Sequence, residues 1–215
     1  MFIGHWSASF VAATHPRAPR LGTLMVAAQL IDWGFFALML TGTENMRLVP
    51  GISAMNPMDL YDMPYTHSLL GACAWGLALG LFVRLMMRDW TAAVIGFAVV
   101  VSHWWLDLLV HVPDLTIAGS PPKLGFGLWN HPAVEMPLEI ALTVGGLWLY
   151  ARNRGLHFLQ PRLLTLLGIL ALVQAIDWFG PVATQVTASI PLTALFGYAL
   201  VTGVAVWVDR GRAMV

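Results

Sequence analysis

Six apolar segments, each long enough to cross a lipid bilayer, constrain this chain more than any other feature of its sequence. A hydrocarbon core of about 30 Å needs about 20 apolar residues in a helix, and a helix pairs all of its own backbone polar groups. We predict an all-α, polytopic membrane bundle that forms a single domain over residues 1–215, with six transmembrane helices and a short N-terminal membrane helix at 2–14. The six predicted spans are 21–41, 67–87, 91–112, 132–150, 163–180 and 191–208.

Composition and charge agree with a membrane protein and indicate its orientation. The chain is 58% hydrophobic and 10% charged, whereas about a quarter of the residues in a soluble domain are charged. The net charge is zero and there is no basic patch, so we expect no nucleic-acid partner. Nine of the eleven basic residues fall in alternate loops, with only Arg47 and Lys123 on the other side. The positive-inside rule therefore predicts a cytoplasmic C-terminus and cytoplasmic loops, and places the connections 42–66 and 113–131 outside.

The third predicted span carries three polar residues in an otherwise apolar run. His103, Asp107 and His111 follow one another at intervals of four residues, so their side chains share one helix face. Imidazole and carboxylate groups are costly in hydrocarbon unless they pair with each other or bind a ligand. A divalent metal such as zinc, manganese or iron uses both groups as ligands. The alternative is a seam of hydrogen bonds that joins helices, and the spacing alone leaves both interpretations open.

Further ionisable residues occur in or beside the other spans. Asp32 lies near the middle of the first span, where a carboxylate is a candidate functional group by default. His131, Glu135 and Glu139 form a second stripe with the same spacing. Measured at about 1.5 Å per residue from the predicted outer ends, nearly all of these groups fall in the outer half of the bilayer. We therefore expect a polar cavity, open to the exterior, among His5, Asp32, His67, His103, Asp107, His111, His131, Glu135 and Glu139.

Several of these residues lie in motifs that resemble those of a known family. The elements Thr66-His67-Ser68-Leu69-Leu70 and Ser102-His103-x3-Asp107, preceded by Gly4-His5 and Asp32, resemble the membrane-bound metal-dependent hydrolases over about residues 1–115. This family is also described as inner-membrane-associated hydrolases, some of them LexA-binding. The resemblance implies a bacterial inner-membrane location and the metal ligands His5, Asp32, His67, His103 and Asp107. It also has two departures, because the family carries a further His where this chain has Asp62, and a Pro-Asp-x-Asp pattern where this chain has Asp32 alone.

The first functional hypothesis is a membrane-embedded hydrolase that uses a divalent metal, with zinc favoured over manganese or iron. Three histidines and two aspartates suffice for one metal with an open position, or for two metals that share a carboxylate. The metal would activate water against a phosphoester or other ester of a lipid-like substrate. Glu135, Glu139 and Asp62 are the candidates for the general base. We expect Ser68, His111 and His131 to line the entrance or to support the ligands.

Two other classes of function remain open from the sequence. The same His and Asp residues are able to form an ion or proton path in a transporter or channel. They are also able to join helices in a structural membrane protein, without any ligand. Membrane lipids are the expected partners in all three cases, and the sequence indicates no oligomeric state.

Overall fold

The computed structural model describes residues 1–210, and it is mostly helical. Arg212, which the orientation argument counts, lies outside the described residues. Single 3₁₀ turns occur at Ile3–His5 and Leu128–Asn130. The α-helices are α1 (Trp6–Ala12), α2 (Leu21–Ala28), α3 (Leu30–Leu40), α4 (Leu69–Met87), α5 (Trp90–Val110), α6 (Pro132–Asn153), α7 (Pro161–Phe179) and α8 (Ser189–Asp209).

The helices confirm an all-α bundle with several apolar spans. Helices α4, α5, α7 and α8 are each long and apolar enough to cross a membrane. Helices α2 and α3 together make a possible fifth span, bent by 57° at Gln29. Helix α6 is 22 residues long but is not in this set, and it carries Glu135 and Glu139 in its first two turns. The predicted number of six spans therefore stays a prediction.

The bundle is held by close packing of small residues and by a buried aromatic core. Helices α4 and α5 form an antiparallel pair, in which a Cβ atom on Gly80 would lie 3.0 Å from the carbonyl oxygen of Ala93. The short helix α1 packs against α2, α5 and α6, and its Trp6 and Phe10 are fully buried. Helix α8 packs against α2, α3 and α7. This arrangement surrounds the N-terminal segment with longer helices.

The loops segregate to two ends of the bundle. At one end, Arg17 lies 4.0 Å from Asp89, and Arg154 donates a hydrogen bond to the carbonyl oxygen of Ala13. At the other end, Lys123 donates to the carbonyl oxygen of Tyr61 over 3.1 Å. The basic loops therefore share one end, as the alternation of charge predicted. Which end faces the cytoplasm stays a prediction.

The connection 42–66 contains a β-hairpin that the sequence did not indicate. Strands β1 (Asn45–Leu48) and β2 (Met58–Asp62) pair in antiparallel fashion, and Arg47 Nε lies 2.6 Å from Asp59 Oδ2 across them. Met46 and Leu60 are buried and belong to the main hydrophobic core. The hairpin is thus packed onto the bundle, at the end where Lys123 contacts Tyr61.

Candidate metal centre

Five predicted ligands come together in the interior of the bundle. Two sets of three residues each bring one ligand atom per residue to within 4.8 Å of the others, and the sets share His103. His103 Nε2 lies 3.0 Å from Asp107 Oδ2, and His5 Nε2 lies 3.0 Å from Asp107 Oδ1. His67 Nε2 lies 3.3 Å from Asp32 Oδ1. The two sets are His5, His103 and Asp107, and Asp32, His67 and His103.

A break in the first span positions Asp32 and helps to orient His103. Gln29 has φ −109° and ψ 10°, which interrupts the helix between α2 and α3. Because α2 ends at Ala28, the carbonyl oxygen of Ala28 is available to accept a hydrogen bond from His103 Nδ1 over 2.7 Å. The side-chain amide of Gln29 donates to the carbonyl oxygen of Phe2 over 3.2 Å. Residues at the break therefore bond both to the N-terminal segment, through Phe2, and to helix α5, through His103.

Backbone hydrogen bonds to two buried side chains hold the turn that carries His5. Glu139 Oε1 on α6 accepts from the backbone N–H groups of Phe2 and Gly4, the second over 3.0 Å. Gln174 Oε1 on α7 accepts from the N–H of Ile3 over 3.2 Å. Two backbone N–H groups that converge on one carboxylate oxygen form a strong anchor. Glu139 is thus bonded to the backbone next to a candidate ligand, and its predicted role as a general base stays a prediction.

His111 lies against the ligands, one of the two positions that the sequence suggested for it. It is 4% exposed, and its Nε2 lies 3.3 Å from Asp107 Oδ1. Helix α5 ends at Val110 and His111 is extended, with ψ 145°. The following loop folds back, so that the Trp129 ring lies 4.1 Å from the His111 ring, centroid to centroid. Asp114 Oδ1 accepts from His111 Nδ1 over 2.9 Å, a contact that lies beyond the end of the helix and had no periodic signal in the sequence.

Three further residues support the ligands, and the sequence did not identify them in this role. Tyr198 on α8 donates its hydroxyl to Asp32 Oδ2 over 3.0 Å. Thr66 Oγ1 lies 2.9 Å from His67 Nδ1 and donates to Glu44 Oε2 over 2.6 Å. Glu44 has an exposed fraction of 0%, although it lies in a polar connection between two helices. Only Thr66, as part of the Thr66-His67-Ser68 motif, carried a sequence signal.

The remaining predicted residues lie outside the two ligand sets. Ser68 caps α4, since its Oγ donates to the carbonyl oxygen of Pro64 and accepts from the N–H of Gly71. Asp62 Oδ2 accepts from the side-chain amide of Asn45 in the hairpin, over 3.0 Å. His131 is exposed immediately before α6. Glu135 is 0% exposed, and neither of its carboxylate oxygens has a hydrogen-bond partner among residues 1–210.

The positions of the protons make the cluster suitable for a cation. A carbonyl oxygen only accepts, so His103 Nδ1 must carry the proton that bonds to Ala28. His103 Nε2 and Asp107 Oδ2 are buried 3.0 Å apart, and His5 Nε2 lies 3.0 Å from Asp107 Oδ1. Where an imidazole is neutral and its Nε2 carries no hydrogen, such a contact brings two lone pairs together, which costs free energy unless a proton or a metal ion lies between them. Imidazole nitrogens and carboxylate oxygens that face one another in this way fit the ligand preferences of zinc, manganese and iron.

No known protein family, curated protein or solved structure matches this chain. The resemblance to membrane-bound metal-dependent hydrolases therefore rests on the motif residues alone and stays a prediction. The geometry described above is independent of that resemblance. It shows buried His and Asp groups that are able to hold a metal ion.

Proposed function

We propose that the protein is a membrane-embedded, metal-dependent hydrolase of the bacterial inner membrane, with its centre towards the exterior. The observation that carries the proposal is the buried convergence of ligand atoms around His103 and Asp107, whose Nε2 and Oδ2 lie 3.0 Å apart. With His103 Nδ1 bonded to Ala28, a neutral imidazole would direct the lone pair of Nε2 towards the carboxylate. Either a proton on Nε2 or a metal ion between the two atoms relieves that conflict, and metal analysis distinguishes the two.

Both carboxylate oxygens of Asp107 face imidazole nitrogens. Asp107 Oδ2 faces His103 and lies 3.7 Å from His67 Nε2, while Oδ1 faces His5 and His111. This arrangement suits one ion, or two ions that share Asp107. A divalent metal bound there supplies Lewis acidity and lowers the pKa of a water molecule towards neutrality. Zinc is the favoured ion because nitrogen ligands predominate.

The candidates for the general base are Glu135, Glu139 and Asp62. Glu135 is our preferred candidate, because its buried carboxylate is not hydrogen-bonded to the backbone within residues 1–210, whereas Glu139 is. Asp62 is less favoured, since its Oδ2 accepts from Asn45 in the hairpin. The side chain of Asp32 is 17% exposed and those of the other four ligands are at most 3% exposed. We infer that substrate reaches the centre past Asp32.

The surroundings favour a lipid-like substrate. Helices α4, α5, α7 and α8 are apolar, and large side chains such as Phe179 and Phe196 are exposed on α7 and α8. A substrate with hydrocarbon chains partitions into the surrounding bilayer, which raises its concentration next to the site. The proposed reaction is the cleavage of a phosphoester or other ester carried by such a molecule.

Metal analysis of the purified protein tests the proposal directly. We expect stoichiometric zinc, manganese or iron in the wild type, and its loss in His103→Ala and Asp107→Asn. His157→Ala is the matched control, because His157 is exposed in the loop between α6 and α7. Metal-dependent release of phosphate or fatty acid from a panel of lipid esters in liposomes tests the reaction. A wild-type protein without metal, in which both ligand variants differ from it only by a modest loss of stability, would contradict the proposal and favour a structural role.

One observation favours a second candidate, an ion-coupled transporter. The first span is broken at Gln29, three residues before Asp32, and broken membrane helices form ion sites in many transporters. In that case, proteoliposomes would show ion or proton flux that Asp107→Asn abolishes. No lipid ester would be cleaved.

A further inference from the structure

Glu44, Thr66 and His67 form a buried chain of hydrogen bonds that ends at the centre. Glu44 Oε1 accepts from the backbone N–H groups of Tyr65 and Thr66, over 2.7 and 3.0 Å. Glu44 Oε2 accepts from the Thr66 hydroxyl over 2.6 Å, and Thr66 Oγ1 lies 2.9 Å from His67 Nδ1. Glu44 and Thr66 are both 0% exposed, and His67 is 3% exposed. Water therefore does not compete for these bonds.

The number of available protons determines which atom donates in each hydrogen bond between Glu44, Thr66 and His67. A threonine hydroxyl has one proton, and Thr66 gives it to Glu44. The Thr66 oxygen is then an acceptor for its other neighbour, so the hydrogen between Thr66 and His67 must belong to Nδ1. When His67 is neutral and its proton is on Nδ1, its Nε2 carries no hydrogen and has a free lone pair. That atom faces Asp32 Oδ1 over 3.3 Å and Asp107 Oδ2 over 3.7 Å.

We propose that Glu44, acting through Thr66, is a positioning residue that holds His67 in the Nδ1–H tautomer and presents its Nε2 as a metal ligand. The inference rests on the proposed function only in taking His67 as a ligand. It gives the connection 42–66 a role, because this segment supplies the carboxylate that orients the ring. Carboxylates that orient ligand histidines through their second nitrogen increase the basicity of the ligand and the affinity for metal.

A purely structural role would leave part of the arrangement unexplained. The two backbone N–H groups alone would anchor Glu44 and fix the chain before α4. The bond between the Thr66 hydroxyl and His67 adds nothing to that anchor. It does determine which nitrogen of His67 carries the proton. The test must therefore report on the tautomer as well as on stability.

The experiment combines ¹⁵N NMR of histidine-labelled, metal-free protein with zinc titration against a competing chelator. In Glu44→Gln, the new amide donates to Thr66, the hydroxyl proton turns to His67 Nδ1, and the ring proton moves to Nε2. We expect a changed ¹⁵N pattern for His67 and a zinc affinity about 10–100-fold weaker. Thr66→Val should weaken binding to a similar degree, and Thr66→Ser should restore it. The double variant Glu44→Gln/Thr66→Val should bind zinc no more weakly than either single variant, because both changes act on the same interaction.

Thr143→Val is the matched control, since Thr143 is 1% exposed and its hydroxyl donates within α6 to the carbonyl oxygen of Glu139. It should change neither the ¹⁵N pattern nor the zinc affinity. An unchanged His67 pattern in Glu44→Gln would overturn the inference, even if zinc affinity fell. If the wild type binds none of zinc, manganese or iron, the proposed function fails, but the tautomer change still decides the role of Glu44. If Thr66→Val does not fold, Glu44→Gln and Thr66→Ser give the same decision.

Discussion

The ring of His5 stacks on the ring of His103, with centroids 3.7 Å apart and planes inclined by 7°. Two unit charges near 4 Å repel by about 4 kcal/mol at the effective dielectric constant of a protein site, so this stack disfavours two protonated rings. Neutral imidazole is the form that binds a metal. The contact also brings the N-terminal turn against the polar face of α5, which joins two distant parts of the chain in one site.

His5→Phe should separate metal binding from stability. Phenylalanine keeps an aromatic ring against His103 but offers no ligand atom, and His5 Nδ1 lacks a hydrogen-bond partner among the described residues. We expect a loss of zinc affinity, while the metal-free protein becomes about 1 kcal/mol more stable because a buried unpaired polar atom is removed. Chemical unfolding in chelator, beside zinc titration, measures both effects. A metal-free variant less stable than the wild type would show that His5 already has a favourable partner.

Tyr198→Phe should weaken metal binding without removing a ligand. The Tyr198 hydroxyl donates to Asp32 Oδ2 over 3.0 Å, and its loss leaves Asp32 less restrained. We expect zinc affinity about tenfold weaker and a loss of stability of about 1 kcal/mol. Tyr150→Phe is the control, because the Tyr150 hydroxyl donates to Asp209 Oδ1 at the other end of the bundle. Equal effects of the two variants on zinc affinity would contradict a specific role for Tyr198.

The sequence was sufficient for those features that depend on local spacing. The apolar runs predicted the helical bundle, and the four-residue spacing of His103 and Asp107 predicted that they share a face. The break at Gln29 was not predictable, because it lies within an apolar run that has neither proline nor glycine at that point. It is associated with a hydrogen bond to Phe2, 27 residues away. Features that depend on such long-range partners leave no periodic pattern in the sequence.

The supporting residues illustrate the same limit. Tyr198 meets Asp32 across 166 positions in the chain, and nothing distinguishes it locally from an aromatic residue that packs against lipid. Glu44 lies in a segment with Asp59 and Asp62, where acidic residues are usually solvated. Its burial depends on the peptide groups of Tyr65 and Thr66, 21 and 22 positions later. Contacts of this kind become visible only when the fold is known.

Asp89→Asn should reveal a pH-dependent contribution at the end opposite the centre. Asp89 caps α5, and its Oδ1 accepts from the N–H groups of Thr91 and Ala92. Burial acts to raise the pKa of the Asp89 carboxyl, but these hydrogen bonds and the nearby Arg17 outweigh it and hold the pKa below its usual value. The ionised cap therefore stabilises the fold fully above the unfolded pKa of about 3.9, and this contribution is lost as pH falls through the lower folded pKa.

Thermal unfolding between neutral and acidic pH measures this contribution. Near neutral pH the wild type should unfold at a higher temperature than Asp89→Asn. The difference should shrink as pH falls below about 3.9, since asparagine caps the helix without titrating. A difference that grows towards acidic pH would mean that the folded pKa is raised instead. Metal content should be the same in both proteins.

Glu139→Leu should weaken metal binding by releasing the N-terminal turn. The Glu139 carboxylate accepts from the N–H groups of Phe2 and Gly4, and leucine leaves these donors without their partner. A buried donor that loses a charged acceptor costs about 1–3 kcal/mol or more, so residues near His5 should open more readily than α5. Faster hydrogen exchange confined to the first turn, together with weaker zinc binding, is the expected result. Glu139→Gln keeps an acceptor oxygen and should fall between the wild type and Glu139→Leu in both measurements. If Glu139→Leu bound zinc as tightly as the wild type while its N-terminal turn exchanged freely, His5 would not be a ligand, and the centre would reduce to the set that contains Asp32, His67 and His103.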